Sequence, residues 1–292
     1  MSDTSSDTRQ RSGFVNQIEE TRQKTQSQQE VLKEVTDACW ALTDDELPPI
    51  EYINNIGSDK PSHFKGTMTS FFHEFATRFK LTPDSRILDI GSGCGRLGMP
   101  FSKYIKGGKY YGVDVWKEGV DWCNEHIAAS NPNAEFHHME AANNYYADEF
   151  DPSVENEYTL GFIPDKGLDF AFAISVFTHL TPKDSQDYLT ELGRTLDDEG
   201  AAFLTCFIID DFFFRHVDRT GMHRAVKQQG DSGFYQAYAG QDFFGGYTRK
   251  LWEDMLAKAG LRTISHELGS WASKPGARVY QDTFIVMRAK GR

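Results

Sequence analysis

The sequence predicts an α/β protein, a mostly parallel sheet with helices on both faces, and three observations predict it. Short apolar runs alternate with helix-period segments from residue 83 onward. One run, Ile87-Leu88-Asp89-Ile90, opens directly into the glycine-rich turn Gly91-Ser92-Gly93-Cys94-Gly95. The chain has 292 residues, 39% hydrophobic and 25% charged, enough to bury one large core.

Residues 1–30 are rich in Ser, Thr, Gln, Asp and Arg and read as a disordered or frayed tail. Val31, Leu32, Val35, Cys39, Trp40 and Leu42 recur at helical spacing, which predicts an amphipathic helix over 31–42 that Pro48 and Pro49 end. Residues 52–66 read as loop and 68–79 as an aromatic-rich helix carrying Phe71, Phe72, Phe75 and Phe79. Residues 31–82 thus form a helical cap. The α/β rhythm starts with a strand over 86–90, a helix over 95–104 and a strand over 109–113 that ends at Asp114. A helix over 118–130, strands over 135–139 and 168–174, a helix over 183–196 and a buried strand over 200–208 follow. Two segments interrupt it: an acidic connection over 141–166, and 210–247 with its FFF, FYQAY and FFGGY clusters. A helix over 248–259 and strands over 262–268 and 283–289 complete the domain, 83–292.

The formal net charge of -12 makes nucleic acid a poor expected partner, since an acidic surface repels phosphate backbones. Cys39, Cys94, Cys123 and Cys206 are scattered without a CxxC pair, so neither a disulfide framework nor a zinc site is expected and a reducing compartment is favoured. The first residues hold no apolar segment of a secretory signal, and no apolar run reaches the length of a membrane span. The expectation is a soluble cytoplasmic protein without a membrane partner. The oligomeric state stays open.

The glycines after Asp89 let the backbone turn tightly and approach a ligand closely. Asp114, 19 residues past the last of them, places a carboxylate where it accepts hydrogen bonds from ribose hydroxyls. A dinucleotide fingerprint starting at Gly91 needs glycine at position 96, where Arg96 stands. The spacing is GxGxG with an acid two residues before it, and it resembles the cofactor motif of class I S-adenosylmethionine-dependent methyltransferases. The resemblance covers about 83–207, including YYGVDVWKEGVDWC, FHHMEA and the strand–helix–strand run from Leu168 to Phe207. It implies a Rossmann-like fold, seven strands with the last antiparallel, and S-adenosylmethionine as cofactor.

On that resemblance the cofactor contacts are Asp89, Gly91, Ser92, Gly93, Gly95, Arg96, Asp114, Val115, Trp116, Glu140, Ala141, Ile174 and Ser175. Arg96 is placed to pair with the methionine carboxylate, Val115 and Trp116 to flank the adenine, and Glu140 to meet its amino group. A surface arginine, a core tryptophan and a solvated glutamate are the competing readings of Arg96, Trp116 and Glu140. His179, beyond the fourth strand, is the candidate base, because an oxygen acceptor must lose a proton as the methyl arrives; a structural histidine is the alternative. Residues 210–247 are expected to close over a small-molecule methyl acceptor as a lid, with oligomerisation or core capping as the competing role. His216 and His223 lack further ligands at metal spacing, so no metal is expected. His63 is a further possible acceptor contact. A methyltransferase, perhaps acting on oxygen, is thus expected over two alternatives: a non-catalytic binding module of the same fold, or a nicotinamide-dependent dehydrogenase.

Overall fold

The computed structural model describes residues 26–140, 158–239, 242–277 and 279–289. Helix α1 occupies 26–40, and Pro49 caps a short α2, Ile50–Asn55. Pro61 is the first residue of α3, Pro61–Arg78. The expectation of loop over 52–66 is corrected here: two helices fill most of it. Proline is tolerated in a first helical turn, where its missing N–H has no intrahelical partner to lose. Pro49 and Pro61 therefore start helices as well as ending what precedes them.

The alternating elements follow as β1 (Arg86–Ile90), α4 (Gly98–Tyr104), β2 (Lys109–Asp114), α5 (Lys117–His126), β3 (Ala134–His138), β4 (Leu168–Ala173), α6 (Pro182–Thr195) and β5 (Leu196–Cys206). Segment 210–247 has its own structure: α7 (Asp211–Thr220), β6 (Lys227–Gln228), β7 (Phe234–Ala239) and β8 (Asp242–Tyr247). The Asp210 carboxylate caps α7 by accepting from the N–H groups of Phe212 and Phe213, and Gly221 ends it at a left-handed φ of 74°. Helix α8 (Arg249–Lys258), β9 (Leu261–Glu267) and β10 (Asp282–Arg288) close the fold.

The main sheet runs β3-β2-β1-β4-β5-β10-β9, with β6-β7-β8 as a separate antiparallel sheet. Strand β10 is antiparallel to both β5 and β9, so six strands run one way and the last runs against them. Strand β4 shows how the two faces are filled. Phe170 and Phe172 point into one layer and Ala171 and Ala173 into the other. The large rings belong to the layer built by the N-terminal helices: Phe75 of α3 lies 5.2 Å from Phe170 and 4.8 Å from Phe203, ring centre to ring centre. Leu32, Val35 and Cys39 of α1 complete that layer. The opposite layer joins Leu88 and Ile90 to α6 and α8 through Leu189, Leu192 and Trp252. Among the described residues no helix is long and apolar enough to cross a membrane.

Candidate active site

Strand β1 has β2 on one side and β4 on the other, so the chain order reverses at β1. In open α/β sheets a crevice opens at the carboxyl ends of such strands. Here it is a cleft of about 260 Å³.

The glycine turn forms its floor. Gly91 and Gly93 have φ of +78° and +55°. A Cβ on Gly91 would stand 2.4 Å from Val176 Cγ2, and one on Gly93 2.8 Å from Ile56 Cγ2. Both the backbone bend and the neighbours therefore demand glycine. The N–H groups of Gly91 and Ser92 donate to the Val113 carbonyl at 2.8 and 3.0 Å, which folds the turn onto the end of β2. Asp114 locks it there. One carboxylate oxygen accepts from Gly93 N–H at 2.7 Å, the other from Trp116 N–H at 2.8 Å. Burial pushes the Asp114 pKa up, against the pull of the Trp116, Gly93 and Val115 N–H groups. Its side chain lines the cleft. A carboxylate has about four acceptor positions, so acceptor capacity remains on the side that faces the cleft.

Asp89 lies behind this floor, 4% exposed, and accepts from the Tyr110 hydroxyl at 2.5 Å. Burial raises its pKa to about 7 in spite of that bond, and the nearby Asp114 carboxylate raises it further. Ser92 is buried, and its hydroxyl has no hydrogen-bond partner among the described residues. Gly95 is buried against α5, close to Cys123 and Ile127. Arg96 does reach the cleft. Its guanidinium donates to the Ile56 carbonyl at 3.1 Å, burial lowers its pKa, and no carboxylate among the described residues forms an ion pair with it. A partly desolvated cation without a carboxylate partner is a receptor for an anionic group.

At the other end, Ile174 and Ser175 follow β4 into the cleft. Ser175 adopts a φ of +60°, a strained conformation for a residue with a side chain. Thr205 Oγ1 accepts from its N–H at 2.8 Å, and the Gln281 side-chain amide donates to its hydroxyl at 2.9 Å. His179 ends a single helical turn, Phe177–His179. Its Nδ1 lies 2.9 Å from the Phe243 carbonyl of β8. A carbonyl only accepts, so the neutral ring carries its proton on Nδ1 and its lone pair on Nε2.

Gly91, Gly93, Arg96, Asp114, Val115, Ile174, Ser175 and His179 are thus brought together, while Asp89, Ser92, Gly95 and Trp116 support them from behind. The Trp116 ring makes an edge-on contact with Tyr52, 4.7 Å between centres. Glu140 is exposed just past β3 and does not line the cleft, and Ala141 falls outside the described residues. His63 is exposed and paired with Asp59 at 2.9 Å, also away from the cleft. Sequence reasoning missed Asn55, Ile56 and Gly57, which form one wall, and Tyr158 and Tyr188, whose rings lie 4.3 Å apart at the far end. No local pattern at residues 55–57 ties them to the glycine turn. Tyr188, on the buried side of an amphipathic helix, reads as ordinary core.

Residues 87–156 match the model of a family described as a methyltransferase domain. The chain carries a class I methyltransferase domain. The cofactor of such domains is S-adenosylmethionine, and the cleft brings together a glycine floor, the Asp114 carboxylate and the Arg96 guanidinium. The methyltransferase fold is shared with a protein of Pyrococcus horikoshii OT3, at 14% identity, a TM-score of 0.52 and coverage of 85% of this chain and 100% of that one. Looser similarity extends to magnesium protoporphyrin IX methyltransferase from Synechocystis (13% identity, TM-score 0.47, 76% and 82% coverage). It extends as well to 1,6-didemethyltoxoflavin-N1-methyltransferase from Burkholderia thailandensis (17%, 0.44, 82% and 90%).

Proposed function

We propose that this methyltransferase acts on a small molecule, that the accepting atom is a hydroxyl oxygen, and that His179 removes its proton. When bound, S-adenosylmethionine supplies an electrophilic methyl carbon on a sulfonium. Asp114 would hold the ribose hydroxyls, Arg96 the carboxylate, and Val115 with Tyr158 and Tyr188 would border the adenine. Methyl transfer is an in-line displacement, so alignment of the two reactants contributes most of the acceleration. The hydrogen bond from Nδ1 to the Phe243 carbonyl supports a base role for His179, because it fixes the tautomer and orientation of a ring that lines the cleft.

In this reading 83–292 is the catalytic unit and 210–247 its lid. Strand β8 of that segment supplies the carbonyl that orients His179. A cytoplasmic location is supported by four cysteines that are all buried and unpaired. Two observations weigh against the other readings. A nicotinamide dehydrogenase of the usual strand order has an all-parallel sheet, whereas β10 runs antiparallel. A purely binding module has no need of a histidine with its tautomer fixed at the acceptor end.

The test is transfer of a labelled methyl group from S-adenosylmethionine to an extract of small metabolites, alongside calorimetry with S-adenosylhomocysteine. The expected result is labelled product from the wild type, none from His179→Gln, and no binding by Asp114→Ala. Unchanged affinity in Asp114→Ala would overturn the cofactor placement, and equal labelling by His179→Gln the base.

A further inference from the structure

Beyond β5 the chain enters an aromatic cluster that the cleft does not include. Thr205 accepts from the N–H of Ser175, a cleft residue, and Phe207 lies two positions further along, at the carboxyl edge of the sheet. The Phe207 ring stacks on Phe244 of β8, 4.9 Å between centres and 9° from parallel. Phe244 neighbours Phe243, whose carbonyl holds His179. His223 lies 5.6 Å from Phe244, and Trp271 lies 4.5 Å from Phe207. Three of these rings, Phe207, Phe244 and His223, are only partly buried, so each keeps some surface open to solvent.

A second observation comes from His216 on α7. Its side chain is buried, 7% exposed, with Nδ1 bonded to the Ser273 hydroxyl at 2.9 Å. Its Nε2 is buried with no hydrogen-bond partner among the described residues. Leaving such an atom unpaired is costly, and a ligand polar group would satisfy it. The His223 ring is 6.1 Å away, and burial, with His216 beside it, lowers its pKa, which keeps it an uncharged ring at neutral pH.

We propose that Phe207, Phe244 and His223 form a subsite for the flat aromatic part of the methyl acceptor, with His216 Nε2 as partner for a polar substituent on that ring. The proposal rests on the methyl-transfer reading and names its substrate class: a hydroxylated planar aromatic compound. Exposed aromatic surface favours a second π-system over a saturated ring of the same size by offset or edge contacts. Phe207 follows Thr205, which bonds Ser175, and Phe244 follows Phe243, whose carbonyl orients His179, so the subsite is joined to the cleft through both strands.

The probe is 2-naphthol, compared with its saturated analogue decahydro-2-naphthol, titrated calorimetrically with and without S-adenosylhomocysteine. The wild type is expected to bind 2-naphthol about 3- to 10-fold more tightly than the saturated alcohol. Phe244→Leu keeps an apolar side chain in the cluster and should remove that preference. His216→Phe should weaken 2-naphthol by about 3- to 10-fold, the range for one neutral hydrogen bond. Both variants should bind S-adenosylhomocysteine as the wild type does, which also verifies their fold. Equal affinity for the two alcohols, or a preference that survives Phe244→Leu, would overturn the subsite. Failure of the wild type to bind S-adenosylhomocysteine would instead overturn the methyl-transfer reading, while the 2-naphthol titration still decides the subsite.

Discussion

The Lys274 ammonium lies 3.0 Å from both carboxylate oxygens of Asp282, and neither side chain has any exposure to solvent. Asp282 also accepts from Trp271 Nε1 at 2.7 Å and from the N–H groups of Ile208 and Gly269 at 3.1 and 3.2 Å. His266 Nε2 stands 3.2 Å from it on the remaining side. Lys274 in turn reaches the Ile208 carbonyl and Asp210, the cap of α7. One buried pair thus ties the exit of β5, the start of β10 and the root of α7.

Breaking that pair leaves a charge in a site that excludes water. Lys274→Met should cost about 3 to 5 kcal/mol in urea unfolding. Burial alone would raise the Asp282 pKa, but His266, Lys274 and Trp271 overcome it and hold the carboxyl below its ordinary value. The stability from this group is therefore full above the ordinary carboxylate range and lost as pH falls through the depressed value. Lys274→Met should move acid unfolding to higher pH. A variant within about 1 kcal/mol of the wild type, with the same acid midpoint, would contradict this account.

Asp89 has the opposite sign. Its carboxyl is raised from 3.8 to about 7, so the folded state holds a proton that the unfolded chain releases. Its contribution is complete below about pH 4 and disappears as pH rises toward 7, a change of at most about 4 kcal/mol. Asp89→Asn keeps an acceptor for the Tyr110 hydroxyl and cannot ionise. Between pH 4.5 and 7.5 its unfolding free energy should fall less steeply than that of the wild type. Parallel slopes would show that Asp89 is not the group responsible.

The glycine floor permits a sharp steric test. Gly91→Ala places a methyl 2.4 Å from Val176 Cγ2 on a backbone at +78°, whereas Gly66→Ala, with nothing within 4 Å, changes a helical position. S-adenosylhomocysteine affinity should fall at least tenfold in the first and stay unchanged in the second. Val176→Ala should restore part of the loss by removing the clashing atom. Absence of any rescue would mean that the strained backbone, not the neighbour, sets the requirement.

Arg96→Met removes the cleft cation and keeps the stem. A charge-assisted hydrogen bond contributes about 1.5 to 3 kcal/mol, so affinity for S-adenosylhomocysteine should drop about 10- to 100-fold. Decarboxylated S-adenosylmethionine lacks the carboxylate and should bind wild type and variant alike. Equal losses for both ligands would place Arg96 in a packing role.

Much of this was legible in the chain, and the reason is local. Residues 87–98 place a strand, a turn and a helix in sequence order, so Asp89, Gly91 and Gly93 are positioned by their immediate neighbours. The seven strands of the main sheet were each expected within a few residues of their place, because buried strands bear dense apolar runs. What stayed hidden is non-local. Ile56 meets Gly93 and Arg96 only because α2 folds over the glycine turn, and nothing near residue 56 encodes that contact. Trp116 and Glu140 sit where the cofactor motif suggests, yet the first is turned toward Tyr52 and the second toward solvent. Segment 210–247 hid a helix and a hairpin, although Asp210 and Gly221 are ordinary boundary residues and FYQAYA alternates.

The N-terminal helices carry a practical implication for anyone who trims the chain. Phe75 nests among Phe170, Phe172 and Phe203, and the Ile56 carbonyl takes a hydrogen bond from Arg96. A shortened version beginning near residue 83 would present a bare, ring-studded sheet to water and leave its arginine unsupported. Such a fragment should aggregate on expression, however faithfully it retains the recognisable motif.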